Sequence, residues 1–159
     1  MNDFMKIALE KSIEGFKNKD GGPFGAVIID ENGKIVAKSN NKVLIKKDPT
    51  AHAEIETIRE ACKILGTYDL SNCILYTSCE PCPMCLSAII WANIKEVYYG
   101  CQKEDAEEIG FRDNAIYEYL KDRNSEILSL KQIDRNECLK AFKEYKENNG
   151  IIYWNKILT

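Results

Sequence analysis

Apolar and polar positions along the chain recur with two different periods, and the alternation between them outlines the fold. Phe4, Met5, Ala8, Leu9 and Phe16 share one broad helical face, which predicts an amphipathic first helix. It ends at the turn formers Asp20-Gly21-Gly22-Pro23. Phe24 to Asp30 is a β-branched apolar run that reads as a buried strand, Asn32-Gly33 as a hairpin turn, and Lys34 to Ser39 as the returning strand. A loop through Asn40, Asn41 and Asp48-Pro49 follows. Thr50 or a neighbour caps the next helix, where Ile55, Ile58, Cys62 and Leu65 recur before Gly66 stops it. Cys73 to Thr77 is a strand, Pro83 opens a helix that runs to about Trp91, and Ile94 to Gly100 is a further strand. Short helical stretches are expected around Ala106 and Tyr117. A strand is expected from Glu126 to Leu130, and then a helix from Glu137 to Lys146 with Cys138, Phe142 and Tyr145 on one face. A hairpin followed by alternating helices and strands predicts a mixed sheet covered on both faces, a three-layer α/β/α sandwich. With no repeat and no linker, residues 1–159 read as one domain.

Composition narrows the partners. The 159 residues carry 22 Lys and Arg against 25 Asp and Glu, a net charge of −3, which argues against a dedicated nucleic-acid or anionic-membrane binder. Asp3 interrupts the N-terminus before any leader-like apolar region, and the apolar stretch from Leu86 to Ala92 is too short to span a bilayer. A cytoplasmic protein is expected. Its seven cysteines are then reduced thiols, some of them holding metal, and there is a single histidine to join them.

Two segments carry candidate chemistry. One is Pro49-Thr50-Ala51-His52-Ala53-Glu54, and the other is Ser78-Cys79-Glu80-Pro81-Cys82-Pro83-Met84-Cys85. Together they contain the His-x-Glu and Pro-Cys-x-x-Cys elements of zinc-dependent nucleobase deaminases. Cys82 and Cys85 are three apart, so at a helix start they point the same way and can share one tetrahedral metal. His52 and Glu54 are about 200° apart around a helix and converge only beyond its N-terminal end. Positive helix ends favour thiolate over thiol. Three ligands, His52, Cys82 and Cys85, leave a fourth position on one zinc ion for water. Glu54, near the metal but not needed as a ligand, can shuttle protons. The competing reading is a closed Cys₃His site that includes Cys79, a non-catalytic structural zinc module. Cys62, Cys73, Cys101 and Cys138 read as small buried hydrophobes.

On these motifs the chain resembles the cytidine-deaminase superfamily of zinc-dependent nucleobase deaminases, and within it looks most like the bacterial guanine deaminases. The likeness extends over Gly21-Gly22-Pro23-Phe24-Gly25-Ala26-Val27, over Asp48 to Glu54 and Tyr76 to Cys85, and over Gly110-Phe111-x-Asp113 with Ile116-Tyr117. The zinc motifs are common to the whole superfamily, tRNA adenosine deaminases included. The Gly-Phe-x-Asp segment is the more discriminating piece. The resemblance implies a cytidine-deaminase-like fold with a five-stranded mixed sheet and one zinc per subunit. It also implies a homodimer in which the C-terminal helix and tail, residues 137–159, swap onto the partner.

For the substrate the resemblance implies that Asn41 binds the base, that Asp113 accepts from the ring N–H groups of guanine, and that Phe24 stacks on the base. Ala53 and Trp91 join them as candidate binding residues. Phe24 and Trp91 are equally readable as core, Asp113 as a helix cap and Asn41 as a plain loop residue. Related guanine deaminases end in an aromatic that reaches a neighbouring active site. Here the tail is longer; Tyr153 is the candidate and Trp154 the reserve, the alternative being a tail that only packs on the dimer surface. The expected reaction is hydrolysis of guanine to xanthine and ammonia. A tRNA adenosine deaminase, or a deaminase of another purine, a pterin, cytosine or a nucleoside, is the rival. Against a tRNA substrate, residues 101–159 hold 10 basic and 12 acidic side chains, a poor phosphate-binding surface.

Overall fold

A computed structural model describes residues 1–123 and 127–153 of the chain. They fall into two compact units, one from Met1 to Asn114 and one from Ala115 onward. The first unit contains the sheet. In chain order its elements are α1 (Asp3–Lys17), β1 (Gly25–Asp30), β2 (Ile35–Asn40), the single turn α2 (Val43–Lys46), α3 (Ala53–Leu65), β3 (Cys73–Cys79), α4 (Pro83–Trp91), β4 (Glu96–Cys101) and α5 (Lys103–Glu108).

The sheet order is β2-β1-β3-β4, antiparallel except for the β3–β4 pair. The α4 crossover makes that last pair parallel, as a helix between adjacent strands does. Strand β1 is central, and its side chains alternate between two cores as a period of two requires. Ala26 and Ile28 pack with Leu75, Ile89, Ala53 and Ala61 on the side of α3 and α4. Val27 and Ile29 pack with Ala8 and Tyr76 on the side of α1. Continuous burial of β1 is thus what a strand covered on both faces should show.

Local chemistry sets the element ends. Asn2 caps α1, its side-chain oxygen accepting from the N–H groups of Phe4 and Met5 at 2.9 and 3.1 Å. In the hairpin, Asp30 accepts from the N–H groups of Asn32 and Lys34, both at 2.9 Å. The α3 helix stops at Gly66 as expected, while its cap is His52 rather than Thr50. Thr50 instead donates to Asp48 through both its N–H and its hydroxyl. Gly25 lets α1 lie directly on β1: a Cβ there would sit 2.1 Å from the carbonyl oxygen of Ala8 and 2.5 Å from the nitrogen of Ser12.

Among the described residues the sheet has four strands, not five. Glu126 lies outside the described residues, and residues 127–130 form no strand. The apolar run of Ile127, Leu128 and Leu130 suits a strand, but a strand also needs burial or a ladder, and all three side chains are exposed. Edge strand β4 leaves Tyr98 and Tyr99 about half exposed. In the second unit, α6 (Asn114–Lys121) and α7 (Arg135–Glu147) bury no residue. After α7 the chain folds back, with Gly150 donating to the Tyr145 carbonyl and the Tyr145 hydroxyl to that of Ile151. No helix among the described residues is long and apolar enough to cross a membrane.

Replacing Gly25 by Ala should displace α1 from the sheet, because both clashing atoms are main chain and cannot turn aside. The expected loss is about 3 kcal/mol, read as a lower urea midpoint by circular dichroism. A midpoint unchanged from wild type would show that α1 does not depend on this close approach.

Candidate metal and substrate site

The site forms where α3 and α4 begin. His52 and Cys82 are the N-cap residues of these helices, both with extended backbone and neither using its side chain as a cap. Pro83 takes the first helical position of α4, where its missing N–H costs nothing, and Cys85 lies in the same first turn. His52 is delivered by a braced turn in which the Ala51 N–H donates to the Asp48 carbonyl, the Lys42 N–H to the Ala51 carbonyl, and Arg59 pairs with Asp48 at 3.6 Å.

His52 Nδ1 lies 3.6 Å from Cys82 Sγ and 3.5 Å from Cys85 Sγ. Zinc–nitrogen and zinc–sulfur bonds of about 2.0 and 2.3 Å at a tetrahedral angle put such atoms about 3.5 Å apart. The donor set and its spacing therefore fit one zinc ion. Among the described residues it is the only group of three or more such side chains close enough to hold a metal. Cys79 stands outside it at the end of β3, its thiol donating to the Gln102 carbonyl and pushed up to about 12 by burial. A closed Cys₃His site is not formed.

Electrostatics favours ionised sulfur at Cys82. The hydrogen bond from the Cys85 thiol, with His52 beside it, draws Cys82 down to about 4 against the effect of burial. That same bond and burial push Cys85 up, while the hydrogen bond to Cys82 raises His52. Glu54 is 6% exposed, and burial holds its carboxyl above the usual range. One oxygen accepts from Thr77 Oγ1 at 3.2 Å, and the other lies 3.5 Å from Cys85 Sγ. A carboxyl so placed can hold a proton beside the metal without being a ligand.

His52 and Cys82 open onto a cavity of about 360 Å³, at the small end of the range of small-molecule sites. His52, Glu54, Asn41, Phe24 and Asp113 all line it. Asn41 is buried, and its side-chain oxygen accepts from the N–H groups of Gly22 at 3.3 Å and Val43 at 3.1 Å. Two backbone donors on that oxygen fix the amide's orientation and leave Nδ2, a donor, without a partner among the described residues. The Asn41 amide thus offers the cavity a donor only. Gly21 makes room for it, since a Cβ there would stand 2.0 Å from Oδ1 of Asn41. Asp113 is half-buried, and burial raises its carboxyl.

Not every candidate side chain lines this cavity. Trp91 is half exposed at the end of α4 and lines a separate surface groove with Ile58 and Tyr68, not this cavity, because it stands more than two turns from the metal end of its helix. The Ala53 methyl is buried in the core below α3, which leaves its main chain as the part able to meet a ligand. Cys101 and Cys138 are exposed rather than buried, one on the edge strand and one on α7; Cys73 is buried and Cys62 partly so. Tyr153 belongs to the second unit and is exposed, and Trp154 lies outside the described residues.

Phe111 lines the cavity unanticipated, packed edge-on against Phe24 with ring centroids 4.9 Å apart. Its signal was the spacing within Gly-Phe-x-Asp: in an extended segment, positions two apart face the same side, so Phe111 accompanies Asp113. Glu80 also lines the cavity, its carboxylate accepting from the Lys103 N–H at 3.1 Å.

Comparison with known proteins agrees with this geometry. Residues 1–101 match the cytidine and deoxycytidylate deaminase zinc-binding region. A guanine deaminase of Bacillus subtilis (strain 168) is 47% identical over 144 residues, 90% of this chain and 92% of that one. An X-ray structure of guanine deaminase from Bacillus subtilis superposes with a TM-score of 0.90 at 46% identity, covering 97% of this chain and all of that one. A tRNA-specific adenosine deaminase of Aquifex aeolicus is 44% identical over 96 residues, 60% of this chain and 62% of that one. Most of the sequence and the site it assembles lead to the same place: this chain belongs to the cytidine and deoxycytidylate deaminase zinc-binding family.

Proposed function

We propose that the chain is a guanine deaminase, hydrolysing guanine to xanthine and ammonia. The observation that carries this reading is the pairing of a donor-only Asn41 amide with the Asp113 carboxylate around one small cavity. Guanine offers acceptors at O6 and N7 and donors at its ring N–H groups, so the two side chains match it in kind. Adenine has an amino donor where guanine has O6, and it meets the Asn41 donor poorly. The relative that is 47% identical over nearly the full length carries the name guanine deaminase, which supports the same substrate.

The roles of the chain's own residues follow. His52, Cys82 and Cys85 hold the zinc, which when bound supplies Lewis-acid activation of water. Asn41 and Asp113 orient the ring, and Phe24 with Phe111 forms an aromatic wall for its face. Glu54 takes a proton from the water as oxygen bonds to C2 and delivers it to the adjacent ring nitrogen. It then carries the remaining hydroxyl proton to the amino group, the C2–N bond breaks, and ammonia departs. In the same reading Tyr153 keeps the substrate-binding role that the resemblance gives it. The protein works as a homodimer in the cytoplasm, a compartment in which its seven free thiols stay reduced.

The test is ammonia release from guanine, guanosine, adenine, cytosine and transcribed tRNA. Guanine should turn over fastest; guanine inert while tRNA or another base reacts would overturn the substrate and leave the reaction class. Chelation should abolish activity, and added zinc should restore it, with far-UV circular dichroism nearly unchanged throughout. Unfolding as zinc leaves would mark a structural metal instead. Glu54→Gln should retain one zinc per chain and lose about 10² to 10⁴ in kcat. Asn41→Ala should lower kcat/KM for guanine by about 10- to 100-fold, the worth of a buried hydrogen bond to substrate.

A further inference from the structure

We infer that Thr77 is a positioning residue for Glu54, a role that rests on the deamination reading above. Thr77 stands on β3 with 1% of its surface exposed, and its one side-chain hydrogen bond among the described residues is from its hydroxyl to Glu54 Oε1 at 3.2 Å. Its strand neighbours two residues away are Leu75, fully buried, and Cys79, nearly so. Valine has the same shape and would fill this place without burying a hydroxyl that costs free energy unless it is bonded. Among the described residues the hydroxyl therefore answers to Glu54 alone.

Loading of the metal makes the contact more important. Cys85 is the other side chain within reach of the Glu54 carboxyl, at 3.5 Å, and as a zinc ligand it is a thiolate with no proton to give. Thr77 then becomes the one side-chain donor to Glu54 among the described residues. It holds Oε1 against the sheet and leaves Oε2 toward the ligand sulfur of Cys85 and the reacting end of the cavity. Strand β3 thereby sets both the start of the Cys82 loop and the aim of the proton carrier. Without the hydroxyl, the carboxyl can rotate about its last bond, and proton delivery suffers while base binding does not.

The experiment compares Thr77→Val and Thr77→Ser with wild type on guanine, alongside zinc content and thermal midpoint. Thr77→Val should lower kcat by about 10- to 100-fold with KM within twofold, zinc at one per chain and a midpoint no lower than wild type. Thr77→Ser should restore most of the rate. Wild-type kcat in Thr77→Val, lost zinc, or a raised KM at unchanged kcat would overturn the proposal. A double-mutant cycle of thermal midpoints over Thr77→Val and Glu54→Gln, in zinc-loaded protein, needs no substrate. Non-additive midpoints are expected, and additive ones overturn the contact. Wild type inert on guanine would sink the substrate reading alone, because the cycle still judges the contact.

Discussion

The structure depends on gathering negative charge where water is scarce. Cys82, Glu54 and Asp113 border one small cavity, with Cys85 buried beside Glu54, and the two cysteines carry thiols that must ionise to hold a metal. Removing such groups from water is costly unless something positive replaces the solvent. Two sources converge here. The N-terminal ends of α3 and α4 direct their positive dipole ends to the same point, and a bound metal would supply the rest. The layered sheet exists, in functional terms, to bring those two helix ends together: β3 feeds α4, the β1–β2 hairpin leads through the braced loop into α3, and both helices lie on one face of β1.

That requirement also accounts for the residues chosen at the helix starts. Most N-caps spend their side chain on the helix's own N–H groups. His52 and Cys82 do not, which frees an imidazole and a sulfur for other work and leaves capping to the ligand set as a whole. The cost in local helix stability is recovered by the turn at Asp48 and Thr50 on one side and by Pro83 on the other.

Much of this was legible in the chain, for reasons that differ by residue. Strands β1, β2 and β3, helices α3 and α4, and the ligand triad followed from local periods and fixed spacings, which tertiary contacts then reinforced. Gly66 and Pro83 stopped and started their helices where their backbone preferences dictate. Hidden features were those decided by long-range neighbours. Residues 127–130 are apolar enough for a strand, but local composition does not decide where a segment packs. Trp91 shares a helix with the zinc cysteines, but only its distance along the axis reveals that it faces another groove. Phe111 and Thr77 gained meaning from what stands opposite them, Phe24 in one case and Glu54 in the other.

Asn41 has one consequence for how this scaffold could acquire new substrates. Its amide is oriented by the main chain of Gly22 and Val43, in space that Gly21 leaves vacant. Hydrogen-bond polarity toward the cavity is thus written in peptide groups and in an absent Cβ, not in the side chain alone. Exchanging Asn41 for another polar residue leaves two peptide donors pointing at its position, ready to capture whatever acceptor arrives. An inverted preference at that edge of the cavity calls for rebuilding the turn from Asp20 to Pro23 together with the loop after β2. Evolution of specificity here is a problem of loop geometry before it is one of side-chain identity.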